Sequence, residues 1–220
     1  MAPSSLTGGE LLSTAFTCSL QQLNLKAEQL MGANLKMKRF WKLLILSWAT
    51  LMLFPAHADV VGGVNFPRTL GGFELQSVID NEKSNPGLGV TLLYQAPGAK
   101  VSIFVYDHSQ KNIPQGIDST IIRSQFNRAK SDIQLVHPDA QTLKQDERLL
   151  VAGVPMLHSE FQYAETRPGS AVAVHSHLYL TARKDNFVKV RTTYSANDSP
   201  ELGRRDQDQF IKALGGILAK

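Results

Sequence analysis

A basic cluster followed by a short apolar run decides how much of this chain is available to fold. The basic cluster occupies residues 36–42, an uncharged and mostly apolar run of 12 residues covers 43–54, and Ala56-His57-Ala58 follows. These are the three parts of a secretory signal peptide, whose cleavage point follows small residues. The apolar run is well short of the roughly 20 residues that span a bilayer. We therefore predict a signal peptide at residues 37–58, cleaved after Ala58.

Residues 1–36 precede this signal and carry few charges. Because a signal peptide normally begins where the translated chain begins, we expect translation to start at Met31 or Met37. An unusually long n-region from Met1 is the alternative. In both cases residues 1–36 are predicted to be a non-translated or disordered extension of the leader. The exported protein is then residues 59–220, predicted to be periplasmic and to have no membrane anchor after processing.

The charge balance of residues 59–220 differs from that of the whole chain. The full sequence has 23 Lys and Arg against 19 Asp and Glu, whereas residues 59–220 have 18 against 17. Because these charges nearly cancel, counterion release would contribute little to the affinity for DNA or RNA, and we predict no nucleic-acid partner. The only cysteine, Cys18, lies before the cleavage point, so we expect no disulfide, cysteine nucleophile or thiolate metal site after export. The remaining 162 residues are enough for one domain.

Alternation of apolar and polar residues predicts a series of strands. The clearest is KVSIFVYD at residues 100–107, which is apolar on both faces and is therefore predicted to be a central strand, covered on both sides. Further strands are predicted at 73–79, 90–95, 141–151, 155–163, 170–182 and 187–194, of which 141–151 is the least regular. Short connections predict mostly antiparallel pairing. The Gly- and Pro-containing segment 59–69 is expected to be extended.

Two helices are predicted to pack with these strands. The first has Asp118 or Ser119 as its N-cap, and the second has Ser199 as its N-cap and Pro200 at its first position. Their apolar stripes are Ile122, Phe126, Ala129 and Ile133 in the first helix, and Phe210, Leu214, Ile217 and Leu218 in the second. We therefore predict an α+β fold, in which a mostly antiparallel sheet of about six strands packs with two main helices.

Five segments carry a resemblance to a known family. In order along the chain they are VSIFVYD, STIIRSQFNRA, VAGVPMLHSEFQYAE, HSHLYLTARKDNFVKVRTTY and DQFIKALGGIL. In this layout, residues 70–218 resemble the PsbP-like proteins, which include the extrinsic photosystem II subunit and DcrB-like envelope proteins. The resemblance implies a PsbP-like α+β sandwich for residues 59–220. Assembly factors and binding proteins share this fold, so the resemblance also favours a non-enzymatic role with an envelope protein as partner.

Sequence motifs of known chemistry do not occur in residues 59–220. The glycines of Gly71-Gly72 and Gly87-Leu88-Gly89 lack the remainder of a phosphate-binding motif and are predicted to form turns. No GxSxG, HExxH or EF-hand spacing is found. Asp107-His108-Ser109 follows a strand, but neighbouring side chains there point to opposite faces, so we predict a plain loop. Asp146-Glu147 and the pair Asp206 and Asp208 are predicted to be solvated carboxylates.

Three histidines and a glutamate are predicted to share one face of a hairpin. Apolar alternation in 170–182 leaves His175 and His177 on the face away from the core, and alternation in 155–163 leaves His158 and Glu160 there. A four-residue turn at 166–169 places His158 opposite His177 and Glu160 opposite His175. A two-residue turn would shift this register, and a covering helix would bury the face. Imidazoles with a carboxylate can hold zinc or copper, whereas the simpler alternative is cross-strand Glu–His pairing on a polar face.

Three functions follow from these patterns. The first is an exported, non-enzymatic protein with a binding or assembly-accessory role in the cell envelope, without catalytic residues. The second is a periplasmic zinc- or copper-binding protein that uses His158, Glu160, His175 and His177. The third is a hydrolase whose nucleophile the sequence does not identify. The absence of catalytic motifs and the family resemblance favour the first.

Overall fold

The computed structural model describes residues 59–167, 170–197 and 199–220. The predicted leader extension and signal peptide, residues 1–58, lie outside these ranges. Within the described residues the elements are β1 (Asp59–Val61), β2 (Val64–Phe66), β3 (Thr69–Leu70), β4 (Phe73–Asp80), β5 (Val90–Ala96), β6 (Ala99–Tyr106), α1 (Thr120–Val136), β7 (Gln141–Val151), β8 (Val154–Arg167), β9 (Ser170–Arg183), β10 (Asn186–Ser195) and α2 (Pro200–Leu218).

Strands β3 to β10 form one antiparallel sheet in the order β3-β4-β5-β6-β10-β9-β8-β7, and β1 pairs with β2 separately. The α+β class and the mostly antiparallel sheet are confirmed, and β6 is a central strand as predicted. The predicted number of about six strands was wrong, because this sheet has eight.

Two glycine pairs form hairpin turns near residue 59, and one of them adds strand β3 to the large sheet. Gly62-Gly63 joins β1 to β2 and Gly71-Gly72 joins β3 to β4, and all four glycines have positive φ. Gly-Gly between two extended segments is a hairpin signal, because each central residue of a type I′ turn needs positive φ. Segment 59–69 therefore forms a hairpin and the start of an edge strand instead of one extended segment.

The two helices cover opposite faces of the large sheet. The stripe of α1 packs with Leu157, Phe161, Leu178 and Leu180, and all four of its predicted apolar residues are buried. In α2, Phe210, Leu214 and Leu218 are buried as predicted. They pack with strand residues that point to the face opposite α1, including Tyr94, Ile103 and Val190. Successive residues of a strand point to opposite faces, so the strands are covered on both sides by apolar cores.

Local contacts fix where the helices begin and how closely they pack. Ser119 Oγ accepts a hydrogen bond from the Ile122 amide at 3.3 Å, so Ser119 is the N-cap of α1. Helix α2 begins at Pro200 as predicted, but Ser199 has φ 55° and makes no side-chain cap bond. A Cβ on Gly71 would lie 2.4 Å from Phe210 Cα, so this glycine lets α2 lie against the β3–β4 turn. Neither helix in the described part of the chain has the length and hydrophobicity needed to cross a membrane.

Candidate functional site

A cleft of about 650 Å³ lies between the start of α2 and the β7–β8–β9–β10 part of the sheet. Helix α2 is divided along its length, because its buried apolar residues begin at Phe210 and its first turns carry mainly polar side chains. Those polar turns extend over the sheet face that carries the predicted histidines. The α2 side chains that line the cleft include Glu201, Arg204, Gln207 and Asp208.

Close contact between a glycine and a tyrosine fixes the helix against this face. A Cβ on Gly203 would lie 2.5 Å from Cδ2 of Tyr194 on β10. Since real Cβ atoms do not approach so closely, only glycine allows the first turns of α2 to rest on this ring. Helix α2 and strand β10, on opposite sides of the cleft, are therefore in direct contact at Gly203 and Tyr194.

The predicted register of the β8–β9 hairpin was wrong. Arg167 pairs with Ser170, whereas the predicted register would pair Glu165 with Ser170, and His158 faces Tyr179 while Glu160 faces His177. His175 faces Gln162. Each partner is displaced by two residues, and a displacement by two leaves side chains on the same face. All four predicted residues, His158, Glu160, His175 and His177, therefore still line one cleft.

Diagonal contacts replace the predicted opposed pairs. His158 Nε2 lies 3.1 Å from His177 Nδ1, and the two rings stack with centroids 5.3 Å apart. On the other side, His158 Nδ1 lies 2.8 Å from Glu147 Oε2, and His177 Nε2 lies 3.4 Å from the Tyr194 hydroxyl. Glu147, His158, His177 and Tyr194 thus form one hydrogen-bonded chain across strands β7 to β10.

Burial fixes the protonation of this chain. The side chains of His158 and His177 are buried, with whole-residue exposures of 3% and 5%. Burial lowers the pKa of His177 to about 3, with further lowering from the neighbouring His158 and His175. Burial also lowers the pKa of His158, against the opposing effect of Glu147. Both rings are therefore neutral at neutral pH, and each has one N–H donor and one acceptor nitrogen.

One arrangement of protons satisfies every contact in the chain. The Glu147 carboxylate can only accept, so His158 donates to it through Nδ1 and accepts through Nε2. His177 then donates through Nδ1 to His158 and accepts at Nε2 from the Tyr194 hydroxyl. Burial raises the pKa of Tyr194 to about 12, which keeps that hydroxyl protonated as the terminal donor. The chain is therefore polarised towards Glu147.

Glu160 lies between the imidazoles of His175 and His177. Its Oε1 is 3.2 Å from His175 Nδ1 and 3.9 Å from His177 Nε2, and its Oε2 is 3.8 Å from Lys144 Nζ. The contact with His175 has the distance of an ion pair without the geometry of a hydrogen bond, so His175 Nδ1 remains buried and unpaired. Glu160 is thus the carboxylate in this cleft that contacts two of the predicted histidines.

The predicted metal ligands do not converge on one point. Both ring nitrogens of His158 are already hydrogen-bonded, and His177 Nε2 accepts from Tyr194. In residues 59–167, 170–197 and 199–220, no three His, Cys, Asp or Glu side chains meet in an arrangement that could hold a metal ion. The donor types suit zinc or copper, but a metal would have to displace the hydrogen bonds of His177 or His158.

Unpaired buried acceptors mark the same side of the sheet. Gln207 is 2% exposed, and its Nε2 donates to the Tyr179 hydroxyl at 2.8 Å, while its Oε1 has no partner among the described residues. Thr181 and Thr192, on the face that carries His177 and Tyr179, also have unpaired hydroxyl oxygens. A buried polar atom normally has a hydrogen-bond partner, so Gln207 Oε1 is an unmatched acceptor in the wall of the cleft.

The charges around the cleft are mainly negative. Four carboxylates line it, from Glu147, Glu160, Glu201 and Asp208, against two cations, Lys144 and Arg204. The carboxylates of the cleft therefore exceed its lysine and arginine cations by two. Such an excess attracts cations and disfavours anions.

Sequence reasoning missed four of the residues that form this site. Glu147 was predicted to be solvated, but it lies directly opposite His158 and bonds to its ring. Strand β7 has two register shifts before Glu147, so counting along the strand cannot place it. Tyr194 and Gln207 carry no motif, although alternation along β10 puts Tyr194 on the face of Val188 and Val190. Asp208, also predicted to be solvated, is exposed but lines the cleft.

No protein-family model matches this chain, and no curated protein is significantly similar to it.

Proposed function

We propose that this chain is an exported, non-enzymatic binding protein of the cell envelope, and that its cleft under α2 takes a small organic cation. The observation that carries the proposal is the buried, unpaired Gln207 Oε1 in the wall of a cleft whose carboxylates exceed its lysine and arginine cations by two. An ammonium group has donors and no acceptors, so it complements a site in which acceptors exceed donors.

The aromatic walls support an organic cation as the ligand. Tyr179, Tyr194 and the rings of His158 and His177 stack with centroids 4.6–6.3 Å apart. Both tyrosines line the cleft, and a tyrosine ring attracts an ammonium group through its electron-rich π system. The volume of about 650 Å³ is also within the range of pockets that hold small organic molecules, and it is larger than a single metal ion needs.

Calorimetric titration with putrescine and benzylamine tests this proposal. We expect one binding site for at least one of these amines, with affinity about ten-fold weaker in Glu160→Gln, because a charge-assisted hydrogen bond is lost. Glu74→Gln is the matched control, since Glu74 is exposed on β4 and lies outside the cleft. Absence of binding for both amines, or equal weakening in the control, would refute the cation site.

The envelope role is tested separately, by recovering partners of the tagged protein from envelope extract. The resemblance to PsbP-like and DcrB-like proteins supports a protein partner in the periplasm. We expect one envelope protein to be recovered in stoichiometric amount. Recovery of none would count against the assembly-accessory role while leaving the cation site to the titration.

Zinc or copper binding is the second candidate function. It is favoured by one observation, that His175 Nδ1 is buried and unpaired beside Glu160, with His177 on the other side of that carboxylate. Titration with zinc and copper(II) decides it: micromolar binding that is lost in both His175→Ala and His177→Ala is expected if metal is the ligand. The hydrolase hypothesis gains no support, because the hydrogen-bonded chain connects a glutamate, two histidines and a tyrosine, without a serine.

A further inference from the structure

A second cavity, of about 310 Å³, lies on the opposite face of the sheet, between α1 and strands β5, β6 and β10. It shares no lining residue with the cleft under α2. The charged and aromatic side chains that line it are Arg128, Asp132, Lys189, Phe104, Tyr106 and His108.

The ammonium group of Lys189 is the feature of this cavity that indicates an anionic ligand. It lies on β10 directly opposite Phe104 of β6, and its Nζ is 4.4 Å from the centroid of the Phe104 ring and 5.7 Å from that of Tyr106. Its ammonium forms no ion pair or hydrogen bond with any residue that the structure describes. Burial lowers the pKa of Lys189, and the nearby Arg191 and Arg128 lower it further, while Asp132 opposes them. A half-buried ammonium without a counter-ion is unfavourable unless a ligand supplies one.

A strained turn places His108 at the same cavity. His108 and Ser109 are the central residues of the turn from Asp107 to Gln110, and their φ angles are 53° and 57°, in the left-handed region that favours glycine. The His108 amide donates to Gly87 O at 2.8 Å, and the His108 ring packs edge-on against Tyr106 with centroids 4.8 Å apart. The segment predicted to be a plain loop is therefore a tight turn that holds an imidazole against the aromatic wall.

The net charge of the cavity indicates the charge of the ligand that it would bind. Arg128 and Lys189 contribute two positive charges and Asp132 contributes one negative charge. Burial, with the nearby Arg128, lowers the pKa of His108, so its ring adds no charge at neutral pH. Leu88 and Ala129 add apolar surface beside the rings. One unbalanced positive charge next to an apolar wall complements a monoanion with an apolar body.

We propose that this cavity binds a small organic monocarboxylate. Its carboxylate pairs with Lys189 and Arg128, and its apolar body lies against Phe104, Tyr106 and Leu88. The site is independent of the cleft under α2 and of the function proposed for that cleft.

Calorimetric titration of the purified protein with benzoate, butyrate and inorganic phosphate tests this site. We expect one site for benzoate or butyrate, with affinity about ten-fold weaker in Arg128→Gln and in Lys189→Met, since each variant removes one charge-assisted hydrogen bond. Arg128 is exposed on α1, so its variant keeps the test valid if Lys189→Met does not fold. Arg123→Gln is the control, because Arg123 is also an exposed arginine of α1 but does not line this cavity.

A second measurement follows Lys189 itself. Its acylation by acetic anhydride, read by peptide mass spectrometry, should slow several-fold when the bound carboxylate is present, while acylation of the exposed Lys212 is unchanged. Binding of phosphate without either carboxylate, no binding of any of the three, or equal weakening in Arg123→Gln would each overturn the proposal. Unchanged acylation of Lys189 in the presence of a bound carboxylate would also overturn it.

Discussion

His177 donates through Nδ1 to Nε2 of His158 across a distance of 3.1 Å, and protonation of His158 at Nε2 would break this bond. A proton on His158 Nε2 would face the N–H of His177, and a proton on His177 Nε2 would face the hydroxyl hydrogen of Tyr194. The chain from Glu147 to Tyr194 is therefore stable only while both imidazoles are neutral. This relationship makes the fold sensitive to acid.

We predict that the free energy of unfolding falls as the pH decreases from about 6.5 to about 3, the ordinary pKa of histidine and the lowered pKa of His177. In this window unfolded His177 binds a proton and folded His177 does not, so acid favours the unfolded state. The contribution is fully present above the higher value. Its size is on the order of a few kcal/mol, because each unit of pKa difference is worth about 1.4 kcal/mol.

Denaturant unfolding at a series of pH values measures this effect. In His177→Asn the decrease in stability between these pH values should be smaller, because one of the groups that takes up a proton on unfolding has been removed. His137→Asn is the comparison: burial lowers the pKa of His137 as well, but this ring stacks on Tyr163 on the other face of the sheet, so the variant measures the contribution of a histidine outside the chain. A pH dependence in His177→Asn as steep as that of the unaltered protein would show that His177 is not the group responsible.

The second prediction concerns the contact between Gly203 and Tyr194. Glycine to alanine within a helix normally stabilises it by about 1 kcal/mol. At Gly203 the added Cβ would lie 2.5 Å from the Tyr194 ring, so we expect Gly203→Ala to lower the free energy of unfolding by roughly 1–3 kcal/mol, as overpacked cores do. Gly216→Ala is the control, because a Cβ there meets nothing within 4 Å and should stabilise α2. Thermal or urea unfolding of both variants gives the answer. If both were stabilising, the close packing of α2 on Tyr194 would be wrong.

Alternation along single strands predicted which residues share a face, but not which residues meet across strands. His158, Glu160, His175 and His177 were placed on one face correctly, since that depends only on the two-residue period of a strand. Their pairing depends on the point about which the hairpin is centred, and pairing Arg167 with Ser170 moved that point by one residue and every partner by two. Glu147 is opposite His158 only because β7 has two register shifts, which no pattern in the sequence indicates.

The burial of the site depends on a contact between distant parts of the chain. The apolar stripe of α2 predicted that this helix packs on the sheet, and Phe210 and Leu214 do so. The helix lies against its face through close approaches at Gly71 and Gly203, and the sequence does not indicate either of these contacts. For this reason the α+β class could be predicted from the sequence, whereas the cleft, its buried histidines and the role of Gln207 could not.

The third prediction concerns the leader. Both tryptophans, Trp41 and Trp48, lie in the predicted signal peptide, and all five tyrosines lie after residue 58. If the chain is cleaved after Ala58, the exported protein should show tyrosine emission without indole emission. Fluorescence of protein purified from the periplasm measures this directly. A clear tryptophan spectrum from that preparation would contradict cleavage at this position.

The last prediction concerns the stability contribution of Lys189. Its ammonium is partly desolvated over Phe104 and forms no ion pair with any described residue, so its charge disfavours the folded state in the absence of ligand. Lys189→Met keeps a long, flexible side chain against the same rings without the charge, and we expect it to raise the free energy of unfolding by about 1 kcal/mol at neutral pH. Lys212→Met, at an exposed position of α2, should change the free energy of unfolding by less than about 0.5 kcal/mol.

Because the folded pKa of Lys189 is lowered, the unaltered protein should also gain stability as the pH rises towards 10.5, the ordinary value for lysine. Lys189→Met should lose part of that gain. Urea unfolding of the three proteins at neutral and alkaline pH measures both effects, and a destabilised Lys189→Met would indicate that the ammonium already has a stabilising partner in the folded protein.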